Sequence, residues 1–123
     1  LGDASTKYIT EGNMYEIAEK EGGVLISLET RYYGDSRPTS DTSVENLQWL
    51  TVYQMVADFG RFATFIKEQY SDPPVILWAS ELGSALATLT RQAYPGVIDG
   101  AWGSSAYINI DVEDSNYFLN MKA

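Results

Sequence analysis

The sequence contains neither cysteine nor histidine. Without cysteine, these 123 residues can form no disulfide framework and no thiolate metal site. Without histidine, the stretch lacks the usual general base and the commonest metal ligand. Positive charge is scarce as well: 8 Lys and Arg stand against 17 Asp and Glu, a formal net charge of -9. A phosphate-binding surface needs clustered cations, so the balance argues against nucleic acid as a partner. No apolar run approaches the roughly 20 residues that cross a bilayer, and the first residues carry no basic region followed by an apolar one. A soluble segment without a membrane span is expected, with any targeting signal outside it. The chain starts at Leu1-Gly2-Asp3 without a methionine and ends at Ala123 without an evident stop signal. We expect a piece of a larger chain.

What is present reads as an alternation of helix and strand. Asn13 to Glu21 sets Met14, Ile17 and Ala18 on one face against Glu16 and Glu19, a short amphipathic helix that Gly22-Gly23 ends. Val24-Leu-Ile-Ser-Leu-Glu29 has the length and β-branched content of a strand buried on both faces. From Tyr32 to Leu50 nothing is periodic, which predicts a long loop. Thr51-x-x-Gln54 has capping-box spacing, and Val52, Met55, Val56, Phe59, Phe62, Ala63 and Ile66 follow at intervals of three and four, the signature of an amphipathic helix. Ser71-Asp-Pro-Pro74 ends it. Val75 to Trp78 is then a short apolar strand, Ser84 to Tyr94 a helix stopped by Pro95-Gly96, and Val97 to Trp102 another strand. This order predicts an α/β fold, a parallel sheet with right-handed crossovers and helices on both faces. The acidic, aromatic tail from Tyr107, with Asp111, Glu113, Asp114, Tyr117 and Phe118, matches a calcium site only in composition and reads as solvated. No metal site and no cofactor are expected.

Between the strand at Val75 and the helix at Ser84 lies Ala79-Ser80-Glu81-Leu82-Gly83. This has the spacing of a nucleophile elbow, where small residues two positions either side let a strained central side chain project from a strand-to-helix turn. The central residue is Glu81. Neither Ser80 nor Ser84 has small residues two positions away on both sides, so the pattern does not select them. Glu29 and Arg31 form a candidate ion pair that anchors the Tyr32-Tyr33 loop. Asp58, on an otherwise apolar helix face, reads equally as a loop anchor or as a solvated or capping group. Trp49, Trp78 and Trp102 read as packing residues.

These residues carry a family resemblance. Glu29-Thr-Arg-Tyr-Tyr-Gly-Asp-Ser-Arg-Pro38 is similar to the Glu-His-Arg-Tyr-Tyr-Gly-x-Ser-x-Pro segment of the serine peptidases that include lysosomal Pro-X carboxypeptidase, dipeptidyl peptidase II and thymus-specific serine protease. In the same order, Ile9-Thr-Glu-Gly-Asn-Met-Tyr15 has a family look, and Leu47-Gln-Trp-Leu-Thr51 with Ala57-Asp58 resembles the family's next helix. Val75 to Ala87 resembles its Gly-Gly-Ser-Tyr-Gly-Gly elbow. Tyr94-Pro95 with Asp99-Gly-Ala-Trp-Gly-Ser-Ser-Ala106 resembles the strand beyond.

The resemblance implies an α/β-hydrolase fold, of which residues 1–123 are the amino-terminal core, with the cap region and the triad Asp and His outside this chain. It implies cleavage of Pro-X bonds at peptide ends, in lysosomes or outside cells. It also makes Leu1-Gly2-Asp3 similar to the family's Gly-Glu-Gly oxyanion loop, with Leu82 as the elbow's backbone donor. Within the elbow, Ala79, Ser80, Gly83 and Ser84 surround Glu81 at the nucleophile position; within the loop, Glu29, Arg31, Tyr32, Tyr33 and Gly34 carry the match and Thr30 departs from it. A serine hydrolase needs a hydroxyl that a base can deprotonate beside two oxyanion donors, and Glu81 has none. The expectation is a catalytically inactive homologue whose carboxylate reaches the oxyanion donors. Its scaffold would bind a peptide, a partner protein, the remainder of its own polypeptide or further copies of itself. The alternative is an active hydrolase, either of the family type or with Glu81 as a covalent carboxylate nucleophile, the role Asp plays in haloalkane dehalogenases and epoxide hydrolases.

Overall fold

The structure, a computed structural model, describes residues 9–106. Gly2 and Asp3 at one end, and the acidic tail from Tyr107 at the other, lie outside the described residues. The first helix, α1, spans Asn13–Glu21 as the sequence predicts, and Gly22 ends it in the left-handed conformation (φ 69°) that glycine adopts without a Cβ penalty. None of its residues is buried. The strand expected over Val24 to Glu29 does not form: the segment joins no ladder among the described residues, and Val24 and Ile26 are 66% and 41% exposed. A strand buried on both faces exists only with neighbours on its edges, and an apolar run alone does not supply them.

The loop predicted after it is present, broken by a 3-10 turn at Asn46–Trp49. Helix α2 spans Val52–Gln69. Thr51 is extended at its N-cap, and its hydroxyl accepts a hydrogen bond from the Gln54 N–H at 3.2 Å, the half of the capping box that satisfies an orphan helix donor. Met55, Gly60 and Ala63 are its buried residues. Gly60 is where α2 meets the Tyr94 ring, because a Cβ at this position would stand 2.6–2.7 Å from three ring atoms.

Strand β1, Ile76–Ser80, passes directly into helix α3, Glu81–Ala93, and strand β2, Gly100–Ser104, returns parallel to β1 in the register Ile76↔Gly100 to Ser80↔Ser104. This is a β–α–β crossover of an α/β protein. α3 packs on both strands and on α2. Its buried Ala85, Leu86, Ala87 and Thr90 join Met55, Ala63 and Ile98 in the core. Successive strand residues point to opposite faces. Ala79 and Gly103 approach α3, while Ile76 and the Trp78–Trp102 pair, stacked at 5.0 Å, line the other face, where Ile76 is 64% and Trp102 59% exposed. Both strands begin later than predicted. Val97 and Ile98 each donate a backbone hydrogen bond to the Tyr94 carbonyl at 3.0 Å, so they complete the turn after α3 before the ladder starts.

A charged knot fixes the entry to both strands. Lys67 at the end of α2 reaches Asp72, the Pro73 carbonyl and Asp99 at 3.0, 3.0 and 3.1 Å, and Asp99 accepts the Val75 N–H at 2.8 Å. The Val75 N–H foremost, then Lys67, holds the Asp99 carboxyl below the usual carboxylate range, and hydrogen bonds to Asp72 and then Asp99 raise the Lys67 ammonium. A lowered carboxyl pKa gives stability that is complete above the unfolded value, about 3.9, and is lost as pH falls through the folded one. For Lys67 the sign reverses: its share is complete below about 10.4 and is lost as pH rises through the raised value. In the full-length protein, Asp99→Asn is therefore expected to narrow the difference in thermal midpoint between pH 7 and pH 3. An unchanged difference would exclude Asp99 from the acid response.

Candidate active site

The chemistry-bearing residues fall in two groups. The first is the turn between β1 and α3. Ser80 ends the strand in extended conformation and is the N-cap of α3, and Glu81 opens the helix with φ 52°. A left-handed φ disfavours any residue with a Cβ, and such strain persists only where the surroundings over-determine it. The surroundings here are small. A Cβ on Gly83 would lie 3.1 Å from the Cβ of Ala79, and one on Gly103 would lie 2.9 Å from the Cβ of Ser84. α3 thus starts against the strand ends, three residues earlier than its sequence pattern indicates, because the turn residues themselves form its first turn.

Glu81 is exposed, and its carboxylate sits in the first turn of α3, where the helix dipole favours negative charge. The expected hydrogen bond from the Leu82 N–H to this carboxylate is absent among the described residues. Gly2 and Asp3, the other expected donors, lie outside them. Ser80 is exposed and its side chain makes no capping bond. Ser84 is fully buried, with its Oγ 2.9 Å from the Ala79 carbonyl and 2.8 Å from that of Ser104. Burial takes its hydroxyl out of reach of a substrate. The turn therefore presents a carboxylate, which can accept hydrogen bonds or attack an electrophile but has no hydroxyl to give up a proton.

The second group is the loop from Glu29 to Gly34. Arg31 forms a bidentate pair with Asp58 of α2, Nε to Oδ2 at 2.6 Å and Nη2 to Oδ1 at 2.7 Å, and Nη1 donates to the Trp49 carbonyl at 3.2 Å. The planar guanidinium matches the carboxylate fork, and its bond to Asp58 raises the arginine pKa further. The ion pair predicted between Glu29 and Arg31 is thus replaced: Arg31 turns to Asp58, while Glu29 accepts the Ser36 N–H at 2.6 Å. Of the two readings of Asp58, the loop anchor is the one realised. Tyr32 has φ 67°, its hydroxyl donates to the Asn46 carbonyl, and its N–H donates to the Ser36 carbonyl at 2.7 Å. The Tyr33 N–H donates to the Thr30 carbonyl at 3.0 Å. Gly34 has φ 71°, in the left-handed region that favours glycine, and a Cβ there would displace the Glu29 carboxylate, 1.9 Å away. Beside this loop lies a groove of about 680 Å³, lined by Leu28, Arg37, Pro38, Phe59, Arg61 and Phe62 among others.

The bonds of Arg31 and Tyr32 run to α2 and to the Asn46–Trp49 turn rather than to the elbow, so the two groups are positioned separately. Gly103, whose lack of a side chain admits Ser84, is marked in the sequence only by the small-residue run Gly103-Ser-Ser-Ala106. No helix among the described residues is long and apolar enough to cross a membrane.

Residues 2–123 match the family described as serine carboxypeptidase S28. Human lysosomal Pro-X carboxypeptidase is 35% identical over 103 residues, covering 79% of this chain and 21% of that protein. Serine protease vicPa of Bipolaris victoriae is 32% identical over 111 residues, 83% of this chain and 21% of the relative. The "Probable extracellular serine carboxypeptidase" of Arthroderma benhamiae is 29% identical over 125 residues, 95% of this chain and 18% of the relative. The chain thus spans about a fifth of the length of the curated relatives it matches. A match along nearly its whole length, together with identity of about a third to several peptidases, makes this chain a member of the serine carboxypeptidase S28 family.

Proposed function

We propose that Glu81 stands at the nucleophile position of an S28-type scaffold and that the protein does not carry out serine acyl transfer. The observation that carries this reading is the left-handed backbone of Glu81 at the junction of β1 and α3, in a turn with the small residues Ala79 and Gly83 two positions either side, whose nearest buried hydroxyl, on Ser84, faces backbone carbonyls. In acyl transfer the residue at this turn must supply a hydroxyl to a base, and negative charge must then develop in front of the oxyanion donors. Glu81 supplies no hydroxyl. A carboxylate also places negative charge where a transient one should form, which repels it. The scaffold then serves to bind a peptide or protein partner, in a lysosomal or extracellular setting such as the names of its relatives indicate.

The test is exposure of the full-length protein to a fluorophosphonate, with intact-mass detection, beside an assay for amino acid released from a short Pro-X peptide. The expected result is no adduct and no turnover. An adduct would overturn the reading and require another nucleophile. Turnover without an adduct would assign the chemistry to the Glu81 carboxylate, and heavy oxygen from water would then enter that side chain.

A further inference from the structure

Three other helical hydroxyls behave alike. Thr64, Thr88 and Thr90 each donate to the carbonyl four residues earlier, on Gly60, Ser84 and Leu86, at 2.9, 2.9 and 2.7 Å. This is the ordinary back-bond of a helical threonine. Ser84 differs, because its Oγ leaves the helix and sits between the carbonyls of Ala79 and Ser104 at 2.9 and 2.8 Å. The first belongs to the penultimate residue of β1 and the second to the last residue of β2. A hydroxyl has one proton to donate, so two carbonyls from neighbouring strands share a single buried donor. The backbone immediately past each strand end is left-handed, at Glu81 (φ 52°) and at Ser105 (φ 56°). Ser84 lies between these two positive-φ turns, and the missing side chain of Gly103 makes room for it.

We infer that Ser84 is a positioning residue for the elbow: by tying the carboxyl ends of both strands to the first turn of α3, it holds residue 81 in the left-handed conformation whatever side chain that residue carries. The tie acts on the backbone on either side of residue 81 and touches no part of the Glu81 side chain. The inference rests on the proposed role of Glu81 only for its second measurement below.

The first measurement is amide hydrogen exchange in the full-length protein and its Ser84→Ala variant, comparing peptides over residues 79–84 and 103–106 with peptides over α2. Loss of one hydrogen bond is expected to speed exchange in the two turn segments by roughly five- to tenfold, with α2 unchanged. Ser84→Cys, of similar size with a weak donor, is expected to fall between them and carries the same comparison if the alanine variant does not fold. Unchanged exchange at both turns would overturn the inference, and so would an equal rise over α2, which marks general destabilisation. The second measurement adds Ser84→Ala to a Glu81→Ser background, where fluorophosphonate labelling is expected to slow by a similar factor. No labelling with Glu81→Ser alone would mean that more than the residue at position 81 is missing from the site, and the exchange result would still decide the role of Ser84.

Discussion

Glu81→Ser, made in the full-length protein, is expected to convert a chain inert to fluorophosphonate into one that acquires a single adduct, located by peptide mapping at position 81. The argument begins with the backbone. A left-handed residue between strand and helix projects its side chain away from both, and Glu81 already occupies that conformation with φ 52°. The substitution therefore changes the side chain without asking the chain to rebuild the turn. Shortening the residue also removes a carboxylate from the place where a phosphonate or acyl oxygen must take up negative charge. Deleting the nucleophile of a working serine protease lowers kcat by on the order of 10⁶, so restoring it should have a very large effect wherever the rest of the machinery is intact. Absence of an adduct in the variant would overturn this expectation. It would place the defect beyond position 81, with Thr30 and Ala79, which the resemblance also marks as departures, as the next positions to change.

The second large effect is expected in the core. Leu86 lies in the middle of α3 and is 1% exposed, among the largest fully buried side chains described. Its helix packs on β1, β2 and α2 at once, so a void there has three neighbours and no simple way to close. Leu86→Ala is expected to lower unfolding free energy by about 2–5 kcal/mol, the transfer term plus the cavity term for such a site. Leu86→Met, which conserves volume, should cost less than about 1.5 kcal/mol. Urea titration of the full-length protein followed by tryptophan fluorescence would read both, Trp78 and Trp102 being stacked on the sheet that α3 covers. A loss below about 1 kcal/mol for the alanine variant would mean that the site collapses around the void.

Local chemistry was the part of the fold that the sequence made legible. Thr51 caps α2 through Gln54 as its spacing implied, Gly22 ends α1, and the apolar run before Ala79 became β1. Each of these depends on residues within a turn or two of one another. What needed a distant partner was harder to read. Val24 to Glu29 has the composition of a strand, but pairing is a property of two segments, and no described neighbour offers it a ladder. Spacing alone pairs Arg31 with the nearby Glu29, yet its guanidinium meets Asp58, 27 positions away, because the loop folds back over α2. The elbow stood between these cases. Its spacing marked Glu81 as the strained residue, while the buried hydroxyl of Ser84 and the bare α-carbon of Gly103 acquire meaning only once β2 lies beside β1.

The register of the two strands also bears on folding kinetics. Ile76 pairs with Gly100 and Ser80 with Ser104, so the ladder joins residues 24 positions apart, with one helix filling the interval. Closing so short a connection costs little chain entropy compared with pairing strands from opposite ends of a domain. The β1–α3–β2 unit is therefore closed by one short crossover, and the left-handed turn at Glu81 is built inside it. The hydrogen bonds that flank that turn are thus made inside this one unit and ask nothing of distant segments.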